Sequence, residues 1–171
     1  MKKNSVVLFC SLLLSILMSL TVWAGPFNLN DYSSVNTPSD LLPKTVRSAY
    51  GYDSTKVRGN FFAEANVLIT NQGNGDIGGV ATAYLDVPAD EAYITIYLDR
   101  WDVAGERWRQ VTYYDAEFYA SDYPDGLETP SVSLTFNQAK GYYYRLRGVY
   151  AAILNGNFEG FSPVTDGILI K

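Results

Sequence analysis

Short runs of β-branched and aromatic residues, separated by clusters of Gly, Asn, Asp and Pro, recur along the chain from residue 55 onward. The clearest run is residues 93–98, in which isoleucine and leucine alternate with tyrosine and threonine. Because successive side chains of a β-strand point to opposite faces of the sheet, this alternation predicts one apolar face and one aromatic face. A period of two does not suit an amphipathic helix, so these runs restrict the fold to β-sheet.

Further strands are predicted over residues 65–70, 77–85, 108–114, 132–136, 142–154, 157–161 and 168–170. The strongest hairpin signal is Asn155-Gly156, because both residues tolerate the positive φ of a type I′ turn. We expect no long helix. About seven to eight short strands therefore predict an all-β fold, an antiparallel β-sandwich of immunoglobulin or fibronectin-III type.

Three consecutive tyrosines, residues 142–144, lie at the start of the longest predicted strand. Immunoglobulin-like sandwiches often place a tyrosine there, with its hydroxyl bonded back to the preceding corner. If Leu146 points into the core, the pleat turns Tyr144 inward as well, so Tyr144 is the best candidate of the three. The same register is expected to turn Arg145 and Arg147 to solvent.

The beginning of the chain has the three parts of a secretory signal peptide. Two lysines form a basic start, residues 6–20 form an apolar stretch, and small residues precede a cleavage point after Ala24. We therefore expect residues 1–24 to be removed and the protein to be secreted, into the extracellular space or onto the cell envelope. Cleavage would also remove Cys10, the only cysteine, and the sequence contains no histidine.

The expected lack of thiol and imidazole groups excludes most nucleophilic, acid–base and transition-metal chemistry. Hard oxygen ligands remain, which suit calcium, and residues 74–78 and 122–126 alternate oxygen donors with glycine. Ordinary turns explain both stretches better than a calcium loop does. We expect no cofactor and no metal site.

Acidic residues outnumber basic ones. Removal of the two N-terminal lysines leaves eleven basic residues against eighteen acidic ones. Binding to nucleic acid or to anionic lipid depends on clustered Lys and Arg, so neither partner is expected. No second apolar stretch is long enough to span a bilayer, and we expect no membrane insertion after cleavage. The remaining partner classes are an envelope glycan and another protein.

Residues 25–54 are predicted to form an N-terminal arm or linker before a sandwich domain at residues 55–171. Prolines and many Ser, Asn and Asp residues interrupt any regular period in this stretch. Leu41, Leu42 and Val46 could anchor the arm through a short helical turn after a cap at Ser39-Asp40. A disordered arm is the alternative that the composition leaves open.

Carboxylates are the groups left for general acid–base catalysis, so a small carboxylate-dependent hydrolase of polysaccharides is an alternative function. Asp99 and Asp102 flank Trp101, and five more acids follow within residues 115–128. Such proximity is common by chance in an acidic domain, where most carboxylates are solvated. We therefore predict a protein that is not an enzyme and has no catalytic residue.

Aromatic side chains are the most prominent feature that remains. Tyrosine and tryptophan combine a large apolar ring with a polar tip, which suits stacking on sugar rings and peptide chains. A ligand-binding aromatic surface is predicted at Tyr93, Tyr97, Trp101, Trp108, Tyr113, Tyr143 and Arg145. The competing interpretation is cross-strand packing of the same rings on a half-exposed sheet face.

Several short motifs lie between residue 79 and the end of the chain. They are Ala81-Thr82-Ala83-Tyr84, Ile94-Thr95-Ile96-Tyr97-Leu98-Asp99-Arg100-Trp101 with Trp108, Gly141-Tyr142-Tyr143-Tyr144-Arg145-Leu146-Arg147-Gly148, Asn155-Gly156 with Glu159, and Thr165-Asp166-Gly167-Ile168. In these motifs the chain resembles a family of small uncharacterised secreted domains of Gram-positive bacteria. The resemblance covers just over half of the chain. It implies secretion and a β-sandwich and transfers no catalytic residue.

The function predicted from these features is that of a secreted, non-catalytic β-sandwich that binds a glycan or a protein at the cell envelope or outside the cell. The hydrolase is the alternative. A third class is a structural or matrix component that self-associates through its sheet edges.

Overall fold

The computed structural model describes residues 33–54 and 61–171. The signal peptide predicted over residues 1–24 lies outside the described residues, as does the first part of the predicted arm. The described part contains nine strands, β1 (Ser48–Ser54), β2 (Phe62–Gly73), β3 (Asp76–Leu85), β4 (Glu91–Asp102), β5 (Arg107–Tyr119), β6 (Ser131–Asn137), β7 (Tyr143–Leu154), β8 (Asn157–Phe161) and β9 (Ile168–Leu169). One 3₁₀ turn, Ala120–Asp122, follows β5.

The strands form two antiparallel sheets. The four-stranded sheet has the order β1-β2-β3-β6, and the five-stranded sheet has the order β5-β4-β7-β8 with β9 paired to β7. The inner faces of both sheets contribute to one hydrophobic core. The predicted all-β antiparallel sandwich is therefore confirmed, whereas its immunoglobulin or fibronectin-III type stays a prediction.

The alternation of residues along β4 determines which side chains enter the core. Ile94, Ile96 and Leu98 are at most 1% exposed and pack in the same cluster as Val67 and Ile69 of β2. Burying one large aliphatic side chain contributes about 1.5–3 kcal/mol. The intervening residues of β4 point to the outer face of the five-stranded sheet, and that face holds the candidate site described below.

Two hairpins use the turn chemistry that the sequence predicts. Asn155 and Gly156 join β7 to β8 with φ values of 51° and 75°. Asn74 and Gly75 join β2 to β3 with φ values of 56° and 90°. Two consecutive residues with positive φ match the right-handed twist of the flanking strands, which explains why asparagine and glycine occupy both turns.

Tyr144 is buried at the start of β7, as its register with Leu146 predicts. Its hydroxyl donates a hydrogen bond of 3.0 Å to the backbone oxygen of Ala139, five residues earlier. The bond ties the β6–β7 connection to the first residues of β7, so the tyrosine closes the corner between the two sheets.

The boundary between the arm and the sandwich differs from the prediction. Residues 48–54, predicted as part of the arm, form β1 and pair with β2 along their whole length. Serine, glycine and aspartate have low β-propensity, and they hide the strand from a pattern based on β-branched residues. The arm therefore ends at Arg47.

The anchoring of the arm is confirmed for Leu42 and Val46, which pack against the core. The predicted helical turn is wrong. In its place is a single turn in which the backbone N–H of Val46 donates to the oxygen of Pro43 at 2.9 Å. Within residues 33–54 and 61–171, we find no helix with the length and apolarity needed to cross a membrane.

We predict that Tyr144→Phe will destabilise the sandwich. The change removes one partner of a hydrogen bond at a buried corner, which should lower the free energy of unfolding by roughly 0.5–1.5 kcal/mol. Urea unfolding followed by circular dichroism measures the loss. Tyr142→Phe, at an exposed ring two residues away, is the matched control and should leave the midpoint unchanged. Equal midpoints for both variants would contradict the role given to the Tyr144 hydroxyl.

Candidate functional site

Three charged side chains lie side by side on the outer face of the five-stranded sheet. Asp99 of β4 is paired with Arg145 of β7, and Arg147 follows on the same face of β7. The Asp99 carboxylate accepts hydrogen bonds from Nε of Arg145 (3.0 Å) and from Nε and Nη2 of Arg147 (2.7 and 3.1 Å). All three side chains are at most 2% exposed. We refer to these three residues as the buried charge cluster.

The N-terminal arm crosses the buried charge cluster and supplies further oxygen atoms to it. The guanidinium of Arg145 donates to the backbone oxygens of Val35 (2.7 Å) and Thr37 (2.6 Å) and to Oγ of Ser39 (2.9 Å). The second arginine donates to Oγ of Ser33 at 2.8 Å. Two arginine side chains thus share one carboxylate. Oxygen atoms of the arm accept hydrogen bonds from further N–H groups of the two guanidinium groups.

Aromatic rings cover the flat faces of both guanidinium groups. Arg145 lies 4.5 Å from the ring centre of Trp108, and Arg147 lies 4.6 Å from the ring centre of Tyr97. Burial lowers the pKa of the Arg145 guanidinium, while the neighbouring Asp99 raises it. An arginine stays protonated under such conditions, so its positive charge is retained inside the protein. Burial of that charge is tolerated because carboxylate, carbonyl oxygens and ring faces all lie within contact distance.

The middle of the arm is fixed by a second set of contacts. The backbone N–H of Asp40 donates to the Asp166 carboxylate at 2.9 Å, and the oxygen of Asp40 accepts from Gly167 at 2.8 Å. Leu42 donates to the oxygen of Gly167 at 2.9 Å. A side chain at residue 167 would collide with the ring of Trp108, because an added Cβ would lie 2.5 Å from Cη2. Glycine at this position therefore leaves the space that the Trp108 ring occupies.

The predicted aromatic surface is corrected by these contacts. The expectation that Arg145 and Arg147 point to solvent is wrong, because the arm covers the face on which they lie. The rings of Tyr97 and Trp108 are only 6% exposed. A continuous exposed row through Tyr93, Tyr97, Tyr113, Tyr143 and Arg145 is therefore also wrong.

The other members of the predicted surface differ in how far their side chains are exposed. Tyr113 is exposed and contacts Tyr97 across the β4–β5 pair, with ring centres 6.0 Å apart. Tyr93 and Tyr143 are half-buried. Trp101 is also half-buried and meets Trp108 edge to face, with ring centres 5.3 Å apart. Of the predicted residues, the structure thus brings the two tryptophans and Arg145 together.

These tryptophans line a cleft between the arm and the β4–β5 hairpin. The cleft has a volume of about 370 Å³, and one wall is formed by residues 35–40 of the arm. The other wall is formed by Trp101, Trp108 and residues 106–107 of the hairpin turn. We call this space the arm–hairpin cleft. Its volume is within the range of small-molecule sites, about 300–1,000 Å³.

Polar groups of both signs surround the arm–hairpin cleft. Arg107 carries a positive charge, whereas Asp40 and Glu106 carry negative charges. The buried indole Nε1–H of Trp108 has no hydrogen-bond partner within residues 33–54 and 61–171. A buried donor without a partner costs roughly 1–3 kcal/mol. The cleft therefore combines indole rings with charged groups of both signs.

The Asp99–Asp102 pair considered for hydrolysis does not converge on one point. Asp99 is engaged by the two buried arginines, whereas Asp102 faces the opposite side of β4 and accepts from Nε of Arg109 at 2.6 Å. This hydrogen bond lowers the pKa of Asp102. Across residues 33–54 and 61–171, no three His, Cys, Asp or Glu side chains lie close enough to hold a metal ion.

The arm residues of this site were not among the predicted site residues. Ser33, Val35, Thr37 and Ser39 act largely through backbone oxygens and hydroxyls, which leave no motif in the sequence. The one available signal was the pair Arg145 and Arg147 on a strand whose other residues are apolar. Two arginines at period two are also typical of a solvent-exposed strand face, so this pair alone does not distinguish burial from exposure.

Comparison with protein-family models gave no match, and comparison with curated proteins gave none either. The resemblance to small secreted domains of Gram-positive bacteria therefore stays a prediction. The geometry of the arm–hairpin cleft and of the outer sheet faces carries the functional argument.

We predict that Asp99→Asn will destabilise the protein strongly. The amide leaves two buried guanidinium groups without a counter-charge, which should cost about 3–5 kcal/mol. Urea unfolding measures the difference. Asp102→Asn removes the same kind of charge from an aspartate whose partner, Arg109, is 54% exposed, and it should change stability little. Similar losses for the two variants would contradict the buried charge cluster.

Proposed function

We propose that the protein is a secreted, non-catalytic binding module that takes a glycan into the arm–hairpin cleft. The observation that carries this proposal is the meeting of Trp101 and Trp108 at a cleft whose opposite wall is held by the buried charge cluster. Binding groups on a rigid framework lose little conformational entropy when a ligand arrives. The predicted signal peptide supports a location in the cell envelope or outside the cell.

A sugar fits the chemistry of the arm–hairpin cleft better than a charged metabolite does. Pyranose rings have an apolar face of C–H groups, which stacks on indole rings, and a rim of hydroxyls, which donate and accept hydrogen bonds. The arm offers peptide groups to these hydroxyls. Arg107 is the arginine of the cleft lining, and Asp40 and Glu106 are its carboxylates. The cleft therefore has no excess positive charge with which to hold a phosphate or a sulfate.

The volume of the cleft also favours a small ligand over a folded protein. A stable protein interface buries at least about 1,200 Å² in total, whereas this cleft has room for a few sugar units. The hydrolase alternative gains no support from Asp99 and Asp102, which are both engaged by arginines and face opposite sides of β4. We therefore propose binding without turnover.

Self-association through the edge strand β5 is also disfavoured. The long edge strand β5 has a bulge where it pairs with Leu98 and Asp99, and it carries Asp115 and Glu117 in its second half. Bulges and charges are features by which natural proteins prevent edge-to-edge pairing. Like charges on the second half of β5 would repel a second copy in an antiparallel pair centred there.

The proposal predicts that Trp101→Ala will weaken glycan binding at least tenfold. Tryptophan side chains commonly contribute about 2 kcal/mol or more to an interface, which corresponds to a loss of this size. Cello-oligosaccharides, chito-oligosaccharides and soluble peptidoglycan strands are the probes, and isothermal titration calorimetry gives Kd for each.

Val103→Ala is the matched control for this prediction. Val103 is 75% exposed in the same hairpin and does not line the arm–hairpin cleft, so its removal should leave Kd unchanged. The proposal fails if no probe binds at micromolar protein, or if Trp101→Ala binds as tightly as the unmodified protein. Release of shortened saccharides during the titration would favour the hydrolase.

A further inference from the structure

The outer face of the four-stranded sheet differs from the rest of the protein in its lack of charge. Its four strands, β1, β2, β3 and β6, contain no lysine and no arginine. The two acids at outward positions, Glu64 and Asp76, lie at opposite ends of the sheet. Each accepts a hydrogen bond from a neighbour, Tyr52 and Asn137 respectively. The centre of this face is therefore uncharged in a chain whose net charge is −5.

Three tyrosines stand out from this face, and the Glu64 carboxylate adjoins two of them, as the register partner of Tyr84 and the acceptor of the Tyr52 hydroxyl. Tyr50, Tyr52 and Tyr84 are 57%, 53% and 40% exposed. We call the outward side of the four-stranded sheet the tyrosine face. Tyr50 and Tyr52 occupy alternate positions on β1, about 7 Å apart along the strand. Tyr84 lies on β3, two strands away, so the three rings extend across the sheet instead of forming one cluster.

Glu64, Asn66 and Leu68 of β2 lie between the tyrosines of β1 and Tyr84, and hydroxyl-bearing residues continue across β3 and β6. Thr82 and Ser131 are joined by a hydrogen bond of 2.9 Å between their hydroxyls, and Ser133 and Thr135 continue the same outward side of β6. Leu68 and Val80 are paired beside Tyr50 and are partly exposed. The pattern gives a broad surface with rings, hydroxyls and a few apolar side chains.

We infer that the tyrosine face binds an uncharged polysaccharide along its length. Extended neutral chains present flat C–H surfaces to the tyrosine rings and hydroxyls to the serine and threonine side chains. Tyrosine loses little conformational entropy on binding, because its ring has two rotatable bonds. The occupant is an uncharged polymer because anionic polysaccharides and anionic lipid surfaces both require Lys or Arg, and the four strands contain neither.

This inference is independent of the arm–hairpin cleft, which lies on the other sheet. The tyrosine face suits an extended or insoluble chain, whereas the cleft takes a short saccharide. A protein with both sites would hold a polymer on one side and a chain segment on the other. The two proposals can fail separately, because no residue is shared between them.

The test is co-sedimentation of the purified protein with microcrystalline cellulose and with chitin. The double variant Tyr50→Ser/Tyr52→Ser keeps a hydroxyl at both exposed positions and should raise the apparent Kd at least tenfold. The matched control is the double variant Tyr114→Ser/Tyr142→Ser. Tyr114 lies on the five-stranded sheet and is 48% exposed, and Tyr142 lies just before β7 and is 44% exposed. The control should bind as the unmodified protein does. Circular dichroism establishes that both variants are folded.

Two further measurements distinguish binding at the tyrosine face from attraction between charges and from binding in the arm–hairpin cleft. Retention by the neutral polymers should be the same at low and high salt, because no ion pair contributes to it. Trp101→Ala should leave retention unchanged, because Trp101 lies on the other sheet. The inference is overturned if neither polymer retains the protein, if the two double variants lose binding equally, or if only anionic phosphatidylserine vesicles retain it.

Discussion

The buried charge cluster of Asp99, Arg145 and Arg147 is the interaction on which the described arrangement of the arm depends. Two guanidinium groups are desolvated on a sheet face, and a single carboxylate can satisfy only part of their donors. The remaining donors require oxygen atoms, which the arm supplies from its backbone and serines. Without the arm, Arg145 would lose three of its hydrogen-bond acceptors and Arg147 would lose one. Without the cations, the arm would lose these contacts. The arm–hairpin cleft exists because both conditions are met.

The two outer faces of the sandwich use opposite chemistry. The outer face of the five-stranded sheet carries buried arginines and aromatic rings. The arm covers part of this face and leaves a cleft beside Trp101. The tyrosine face contains no basic residue and leaves its rings exposed. A rigid framework with one narrow site and one broad neutral surface suits a protein that binds polymers without transforming them. This arrangement supports the proposed role of the protein as a binding module.

Local features of the sequence were sufficient to predict the strands, two hairpin turns and the hydrogen bond of Tyr144, since each depends on residues close together in the chain. β1 was missed because its serines, glycine and aspartate give no local strand signal, and its stability comes from pairing with β2. The burial of Arg145 could not be deduced from its own strand. Its partner Thr37 lies 108 residues away, and nothing in the sequence of the arm indicates that its carbonyl oxygens face a guanidinium. The aromatic residues that line the cleft, Trp101 and Trp108, were therefore among the predicted ones, whereas the burial of Tyr97, Trp108 and Arg145 was not predicted.

The most direct test of this account is the hydrogen exchange of arginine side chains, observed by heteronuclear NMR through their Nε–H signals. The signals of Arg145 and Arg147 should be sharp at neutral pH and exchange with water slowly, because both groups are buried and hydrogen-bonded. Arg109, which is 54% exposed in its pair with Asp102, provides the comparison within the same spectrum and should exchange fast. Fast exchange of all three arginines would show that the arm does not cover the charge cluster and would contradict the account.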